Sequence, residues 1–172
     1  IYTLSLHDAL PILLGFNYYM VYFASLIDMP FNQIEFNYFY KKAKRKLNEK
    51  PNLSVIGITG SYGKTSSKNI LNEILSSKYI SRTTPKNYNT LSGLMMTVNN
   101  YLDKFDEILI AEMGAYTNGD IKKLCDFIKP KYGILPVIGQ SHLETFGSVD
   151  NVCKTKFELI ESLPSDGLAI LN

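Results

Sequence analysis

This chain of 172 residues has few cysteines, little net charge and no visible internal repeat. The two cysteines, Cys125 and Cys153, match neither a metal site nor a disulfide framework, so a reducing compartment is the simplest interpretation. The formal net charge of +2 is too small to indicate nucleic acid as a partner. What remains, 45% hydrophobic and 20% charged residues, is typical of one globular domain with a hydrophobic core.

A long hydrophobic run is also lacking. The uncharged stretch 13–27, LLGFNYYMVYFASLI, has fifteen residues, whereas a membrane-spanning helix needs ~20. The basic cluster KKAKRK at 41–46 would lie on the cytoplasmic side of a membrane. Because the uncharged stretch is followed by this basic cluster, we predict a hydrophobic N-terminal helix over 13–28, a candidate truncated transmembrane segment. A basic juxtamembrane helix or linker is predicted over 29–52. The alternative is a buried or surface-packed helix with a solvated basic face.

Both ends of the chain call for separate treatment. Residues 1–12, IYTLSLHDALPI, resemble the conceptual translation of a sequencing adapter, and we expect them to be an artefact outside the natural protein. The last residues, GLAILN, read as the beginning of a strand. We therefore expect the natural sequence to be incomplete at both ends.

From Leu53 onward, short apolar runs alternate with helical patterns. Five strands are predicted at LSVIGIT (53–59), YISRTT (79–84), EILIAEM (107–113), YGILPVI (132–138) and LAILN (168–172). Apolar residues at helical spacing predict helices over 64–78, 91–102, 121–128 and 149–163. In the first of these, the predicted apolar face is Ile70, Leu71, Ile74 and Leu75. Strict alternation predicts an α/β fold, a parallel sheet with helices on both faces, as one domain over 53–172.

The turn after the first strand is rich in glycine and ends in a lysine. It reads G-I-T-G-S-Y-G-K-T over 57–65, between a strand and a helix, where backbone N–H groups and the helix N-terminus can surround a phosphate. Lys64 would reach the β- and γ-phosphates, and the Thr65 hydroxyl would bind Mg²⁺. The common G-x-x-x-x-G-K-[ST] spacing is not met, because Ile58 stands five residues before Gly63. We predict a P-loop-type site for nucleotide phosphates rather than an ordinary turn with an isolated lysine.

Two further groups follow strands whose carboxyl ends meet at the same edge of the sheet. Glu112 ends the third strand, and its carboxylate is suited to Mg²⁺; a solvated glutamate at a strand end is the alternative. His142 follows the fourth strand, where a metal ligand and a structural histidine are both open interpretations.

Lys156 interrupts an apolar helix face. It lies four residues after Val152 and four before Ile160, in the middle of the stripe of the helix 149–163. A buried lysine favours its neutral amine, which can react with CO₂ to form a carbamate that could orient a metal. Snorkelling of the ammonium to the side of the helix is the alternative.

Five stretches of the sequence resemble one known family. GITGSYGKTSSK, TTPKNYNTLSG, EILIAEMGAYTNGDI, SHLETFGSVDNVCKTKFEL and LPSDGLAILN are similar to motifs of the central ATPase domain of the Mur ligases, in the family's order. The resemblance covers 53–172. It also explains the glycine spacing, because the phosphate loop of the family is TGxxGKT.

The resemblance implies roles for individual residues. ATP would be bound by Gly60, Ser61, Gly63, Lys64, Thr65 and Ser66, together with Asn87 and Asn89 in a loop near the reacting groups. The Mg²⁺ ligands would be Thr65, Glu112, His142 and Lys156, the last as a carbamate. The catalytic residues would be Lys64, Lys156 and His142.

The implied activity is that of an ATP-dependent acid–amino-acid ligase of peptidoglycan precursor synthesis. ATP and Mg²⁺ would activate a UDP-MurNAc-peptide carboxylate as an acyl phosphate, and the amine of an amino acid or of D-Ala-D-Ala would attack it. The family's UDP-sugar-binding and C-terminal domains are not recognisable in the sequence, so we expect the fragment itself to be inactive. The protein is expected in the cytoplasm, with anchoring to the cytoplasmic face of the cell membrane as a further prediction.

Two other functions stay open. One is a different ligase of the same superfamily, of the folylpolyglutamate synthase type, although HLETFGS and NYNT favour the peptidoglycan branch. The other is a membrane-tethered nucleotide-binding module without ligase activity.

Overall fold

The computed structural model describes residues 6–139 and 143–172. The chain divides into two compact units, one ending at Lys41 and one running from Lys42 to Asn172. Helix α1 (Leu6–Asn48) begins in the first unit and ends in the second. The predicted boundaries at residues 28 and 52 stay predictions.

The predicted transmembrane segment is not supported. Among the described residues, no helix is both long enough and apolar enough to cross a membrane. Helix α1 has the length, but its uncharged stretch 13–27 ends at Asp28, short of the ~20 apolar residues that a span requires.

The second unit alternates strands and helices as predicted. After α1 its elements are β1 (Ser54–Ile58), α2 (Lys64–Ser76), β2 (Ser81–Thr83), α3 (Leu91–Asn100), β3 (Ile108–Glu112), α4 (Asp120–Ile128), β4 (Tyr132–Leu135), α5 (Leu143–Phe146), α6 (Val149–Glu161) and β5 (Leu168–Leu171). All five predicted strands and all four predicted helices of this unit are present. Strand β4 is shorter than predicted and ends just before Pro136, which has no N–H to donate to a ladder. The short helix α5 was not predicted.

The five strands form one parallel sheet in the order β2-β3-β1-β4-β5. Strand β1 is central and pairs with both β3 and β4. Its last residue, Ile58, lies opposite Glu112 of β3. The chain crosses to one side of β1 for β2 and β3 and to the other side for β4 and β5, so the order reverses beside β1. Ligands of such sheets bind at the carboxyl ends of the strands next to this reversal.

Helices cover both faces of the sheet. On one face, Leu71 and Leu75 of α2 pack against the buried isoleucines of β1 and β3, which are Ile56, Ile58, Ile108 and Ile110. On the other face, Gly57 and Gly133 let α6 approach closely: a Cβ atom at Gly57 would lie 2.8 Å from Leu159 Cδ1. The architecture confirms the predicted α/β fold with a parallel sheet.

The predicted apolar face of α2 is half wrong. Leu71 and Leu75 pack on the sheet, but Ile70 and Ile74 are each 62% exposed. The helix contacts the sheet through one narrow row of side chains, so the neighbouring row faces outward. Spacing alone could not separate these two rows, because all four residues fall within one helical arc.

An ion pair between a buried carboxylate and a half-buried guanidinium stabilises the edge of the sheet next to β2. The Asp106 carboxylate is fully buried, receives the backbone N–H of Asp103 at 2.7 Å, and pairs with Arg82 at 3.1 Å. Removing the carboxylate leaves the part-buried N–H group of Asp103 and the half-buried Arg82 guanidinium without their acceptor, so Asp106→Ala is expected to lower the free energy of unfolding by about 1–3 kcal/mol. Urea unfolding measures this loss. Asp103→Ala, which removes an exposed carboxylate from the same turn, is the control and should cost less than about 1 kcal/mol.

Candidate functional site

The glycine-rich turn joins the end of β1 to the start of α2. Gly63 precedes the helix with φ +79°, a conformation that favours glycine over residues with a Cβ atom. Helix α2 has no side-chain cap and no acidic residue in its first turn. Its first N–H groups are therefore free to donate hydrogen bonds to a ligand, and an anion is the ligand that they favour.

The turn is held against the segment that follows β4. The Ser61 N–H donates to Val137 O at 2.8 Å, and the Ser61 hydroxyl both donates to Gly139 O and accepts from Gly139 N–H. An isolated bridge pairs Tyr62 with Val137. The turn thus has a fixed shape that depends on a segment about 75 residues later in the chain.

Lys64 folds back over this turn. Its ammonium donates to Gly60 O at 2.8 Å and to Ser61 O at 3.3 Å. Burial lowers the pKa of Lys64, and the nearby Glu112 carboxylate partly opposes that effect. The Lys64 ammonium, now held by two neutral carbonyls, would form stronger, charge-assisted hydrogen bonds with an anionic ligand bound at the turn.

Glu112 lies at the centre of the site and is not a solvated strand-end residue. It is 4% exposed. The Thr65 hydroxyl donates to both of its carboxylate oxygens, at 3.0 and 3.1 Å, and the Lys68 ammonium lies 3.0 Å from Oε2. The structure therefore brings together two predicted metal ligands, Thr65 and Glu112, from two different elements.

Lys156 is buried on α6, as its place in the apolar stripe predicted. It is 2% exposed, which excludes snorkelling to the side of the helix. Burial, and secondly the charge of Lys64, lower the pKa of Lys156 to about 8. An anion near these two lysines would relieve their mutual repulsion.

Residues 84–89, which we call the asparagine loop because they include Asn87 and Asn89, follow β2 and approach the end of β3. Gly114 N–H donates to Asn89 O at 2.8 Å, and a Cβ atom at Gly114 would lie 2.9 Å from Asn89 Cγ. Asn89 is therefore next to the strand end that carries Glu112. Asn87 and Ser66 are exposed, and no contact described for them links them to Lys64.

His142 lies outside the described residues, so its predicted metal-binding role stays a prediction. In the described part of the chain, no group of three or more His, Cys, Asp or Glu residues comes together as a metal site. This finding is compatible with Mg²⁺, which is commonly held by one or two carboxylates together with waters and substrate phosphates.

Sequence reasoning missed Lys68 and Thr84. Lys68 is buried and contacts Glu112, and the Thr84 hydroxyl accepts the Glu112 N–H at 3.1 Å. A usable signal was present for Lys68: it stands four residues after Lys64, and side chains at this spacing share one face of a helix.

The tight packing of α3 on the asparagine loop gives a test of the loop's importance. A Cβ atom at Gly93 would lie 2.8 Å from the backbone of Tyr88, so Gly93→Ala must displace the loop between Asn87 and Asn89. We expect a loss of about 1–3 kcal/mol in the free energy of unfolding, measured by urea unfolding. Ser92→Ala, at the exposed neighbouring position, is the control. Unchanged stability in Gly93→Ala would contradict the expected displacement.

Comparison with known proteins gives consistent matches. Residues 58–172 match the family described as Mur ligase middle domain. The chain is 35% identical over 116 residues to the UDP-N-acetylmuramoyl-tripeptide–D-alanyl-D-alanine ligase of Bacillus subtilis, a match that covers 67% of the chain and 25% of the relative. For the Escherichia coli enzyme of the same name the identity is 36% over 118 residues, covering 69% of the chain and 26% of the relative.

Solved structures agree with these matches. The structure of MurF ligase from Thermotoga maritima in complex with ADP superimposes with a TM-score of 0.73 at 37% identity, over 78% of the chain and 31% of that protein. A MurF structure from Acinetobacter baumannii has the same TM-score at 30% identity, over 77% of the chain and 29% of that protein. The chain spans about a quarter of the length of the curated relatives it matches.

Proposed function

This chain belongs to the Mur ligase family, and we propose that it is the ATP-binding part of a UDP-N-acetylmuramoyl-tripeptide–D-alanyl-D-alanine ligase. The observation that carries the proposal is the arrangement of Lys64, Thr65 and Glu112 around an uncapped helix N-terminus. The curated relatives and solved structures that match the chain bear this activity in their names.

The nucleotide phosphates would be bound by the turn and the first turn of α2. Backbone N–H groups of Gly63, Lys64, Thr65 and Ser66 face the open helix end, and Gly60 and Ser61 shape the loop beneath them. The Lys64 ammonium would exchange its carbonyl partners for phosphate oxygens, a stronger acceptor because both groups are charged. Asn87 and Asn89 are proposed as further contacts from the neighbouring loop.

Mg²⁺ fits the oxygen donors at the end of β3. Thr65 and Glu112 supply a hydroxyl and a carboxylate whose oxygens lie 3.0 Å apart, the donor types that Mg²⁺ prefers. His142 is proposed as a ligand of a second ion. When bound, Mg²⁺ would neutralise the charge that develops on the transferring phosphoryl group.

We further propose that Lys156 is carbamylated. With a pKa of about 8, a much larger fraction of its amine is neutral near pH 7.5 than for an ordinary lysine. The amine nitrogen would attack CO₂, form an N–C bond and release a proton, which leaves a carbamate anion. This anion would relieve the repulsion between Lys156 and Lys64 and provide another oxygen ligand.

The reaction that this arrangement can support is amide formation through an acyl phosphate. A terminal carboxylate oxygen of the UDP-MurNAc-tripeptide attacks the γ-phosphorus of ATP, and ADP leaves. The amine of D-Ala-D-Ala then attacks the acyl carbon, the phosphate leaves, and the amine loses its proton. The protein contributes alignment of the reacting groups and cationic stabilisation by Lys64.

The test is phosphate release by the protein encoded by the open reading frame that contains this sequence. Release should require ATP, UDP-MurNAc-tripeptide and D-Ala-D-Ala together. Release with a folate and glutamate instead would indicate a ligase of the folylpolyglutamate synthase type. ATP binding without turnover on any carboxylate and amine pair would favour a nucleotide-binding module and overturn the ligase proposal.

A further inference from the structure

Lys68 is a buried lysine for which the nucleotide site leaves no direct role. It lies on α2, one helical turn after Lys64, and is 2% exposed. Lysine is among the residues that are almost never fully buried unless they are paired. Its environment therefore has to explain why the charge is inside the protein.

The ammonium of Lys68 has three acceptors, one for each of its N–H groups. It lies 3.0 Å from Glu112 Oε2 and donates to Thr84 O at 2.9 Å and Lys86 O at 3.1 Å. A lysine ammonium has three donors and no acceptor, so this set satisfies it completely. The site is shaped for a charged, compact ammonium.

The three acceptors belong to two different parts of the candidate site. Glu112 is the carboxylate that also receives the Thr65 hydroxyl. Thr84 and Lys86 begin the loop that leads to Asn87 and Asn89, and Lys86 has a positive φ of 47° that the loop must maintain. One cation therefore connects the first helix of the site, the end of β3 and the asparagine loop.

We propose that Lys68 is a positioning residue that fixes the Glu112 carboxylate toward the metal and holds the 84–89 loop beside it. This inference rests on the proposed function, since it assigns Lys68 to the Mg²⁺-nucleotide site. The ammonium of Lys68 is occupied by Glu112 and by the carbonyls of Thr84 and Lys86, so we assign it no direct contact with the nucleotide. It acts through Glu112 and through two backbone carbonyls.

A positioning role and a simple charge effect of Lys68 predict opposite changes in Mg²⁺ affinity when Lys68 is replaced. A cation 3.0 Å from a metal-binding carboxylate repels Mg²⁺, so its removal alone would strengthen Mg²⁺ binding. If Lys68 instead holds Glu112 in its binding orientation, its removal weakens Mg²⁺ binding. Arginine separates the two effects further, because it keeps the charge but cannot match a site built for a compact ammonium.

The experiment uses the protein encoded by the open reading frame that contains this sequence. Binding of a fluorescent ADP analogue is titrated against Mg²⁺ for the natural protein, Lys68→Met, Lys68→Arg and the control Lys86→Met, whose side chain is exposed on the same loop. Hydrogen exchange of the 84–89 amides is measured without ligand. Circular dichroism verifies folding of each variant.

We expect Lys68→Met to weaken apparent Mg²⁺ affinity at least tenfold and Lys68→Arg at least threefold, with faster exchange at 84–89 in both. Lys86→Met should stay within twofold of the natural protein. Unchanged or tighter Mg²⁺ binding in the Lys68 variants would overturn the inference. If Lys68→Met does not fold, Lys68→Arg alone decides, since unchanged affinity there refutes positioning. Absence of Mg²⁺-dependent binding in the natural protein would instead refute the proposed function.

Discussion

Replacing Lys64 by methionine is expected to lower ATP turnover by about a hundred- to a thousandfold, the range found when one charge-stabilising donor is removed from an active site. Lys64 stands at the start of α2 and folds over the turn that we propose as the phosphate site. Methionine keeps most of the side-chain volume but has no charge and no N–H donor. The loss should appear in kcat as well as in nucleotide affinity, because charge on the phosphoryl group increases in the transition state.

Stability distinguishes this functional loss from unfolding. Burial already lowers the pKa of Lys64, so removal of its charge should not lower the free energy of unfolding substantially. Lys78→Met, which removes an exposed lysine just after α2, is the matched control and should retain full turnover. Turnover in Lys64→Met within tenfold of the natural protein would contradict a phosphate-binding role for Lys64.

Replacing Lys156 by methionine is expected to raise stability at neutral pH and to lower ATP turnover. The pKa of Lys156 is about 8 in the folded protein and 10.5 in the unfolded chain. Below pH 8 the folded protein must keep a desolvated ammonium, and this costs about 3 kcal/mol relative to the unfolded chain. The cost decreases as the pH rises from about 8 to about 10.5, because there the unfolded chain binds more protons than the folded one.

The measurement is urea unfolding of both proteins at pH 7 and near pH 10.5, in buffers freed of CO₂. The advantage of Lys156→Met should be largest at pH 7 and smaller by about 3 kcal/mol at the higher pH. Lys154→Met, two residues away on the exposed side of α6, should show no such pH dependence. A Lys156→Met variant that is less stable than the natural protein at pH 7 would contradict this prediction. It would show that interactions within the protein compensate the buried ammonium for its lost hydration. ATP turnover of Lys156→Met should fall at least tenfold if the carbamate is formed and used.

The sequence was informative about the fold because buried parallel strands leave a strong local signal. Runs such as EILIAEM are continuous and apolar, and the structure makes every residue of Ile108–Glu112 buried. Three glycines followed by Lys64 and Thr65 predicted a turn for phosphates between a strand and a helix, and the structure places Gly63 in a left-handed conformation just before α2. The position of Lys156 within the apolar stripe of its helix indicated burial, and the structure shows this residue 2% exposed.

Other features depend on contacts that sequence spacing does not contain. Ile70 and Ile74 face outward because α2 packs on the sheet through Leu71 and Leu75 instead. The role of Lys68 becomes visible only when β3 and the loop after β2 are placed around α2. The predicted membrane span relied on hydropathy over a stretch shorter than a bilayer, a signal that also fits other helices.

The most direct test of the central claim follows one oxygen atom. UDP-MurNAc-tripeptide labelled with ¹⁸O in its terminal carboxylate is incubated with ATP, Mg²⁺, D-Ala-D-Ala and the protein encoded by the open reading frame that contains this sequence. Carboxylate activation as an acyl phosphate predicts that each released phosphate carries one ¹⁸O and that the other label stays in the new amide. Release of unlabelled phosphate, with no labelled amide formed, would show that ATP is merely hydrolysed and would contradict the account.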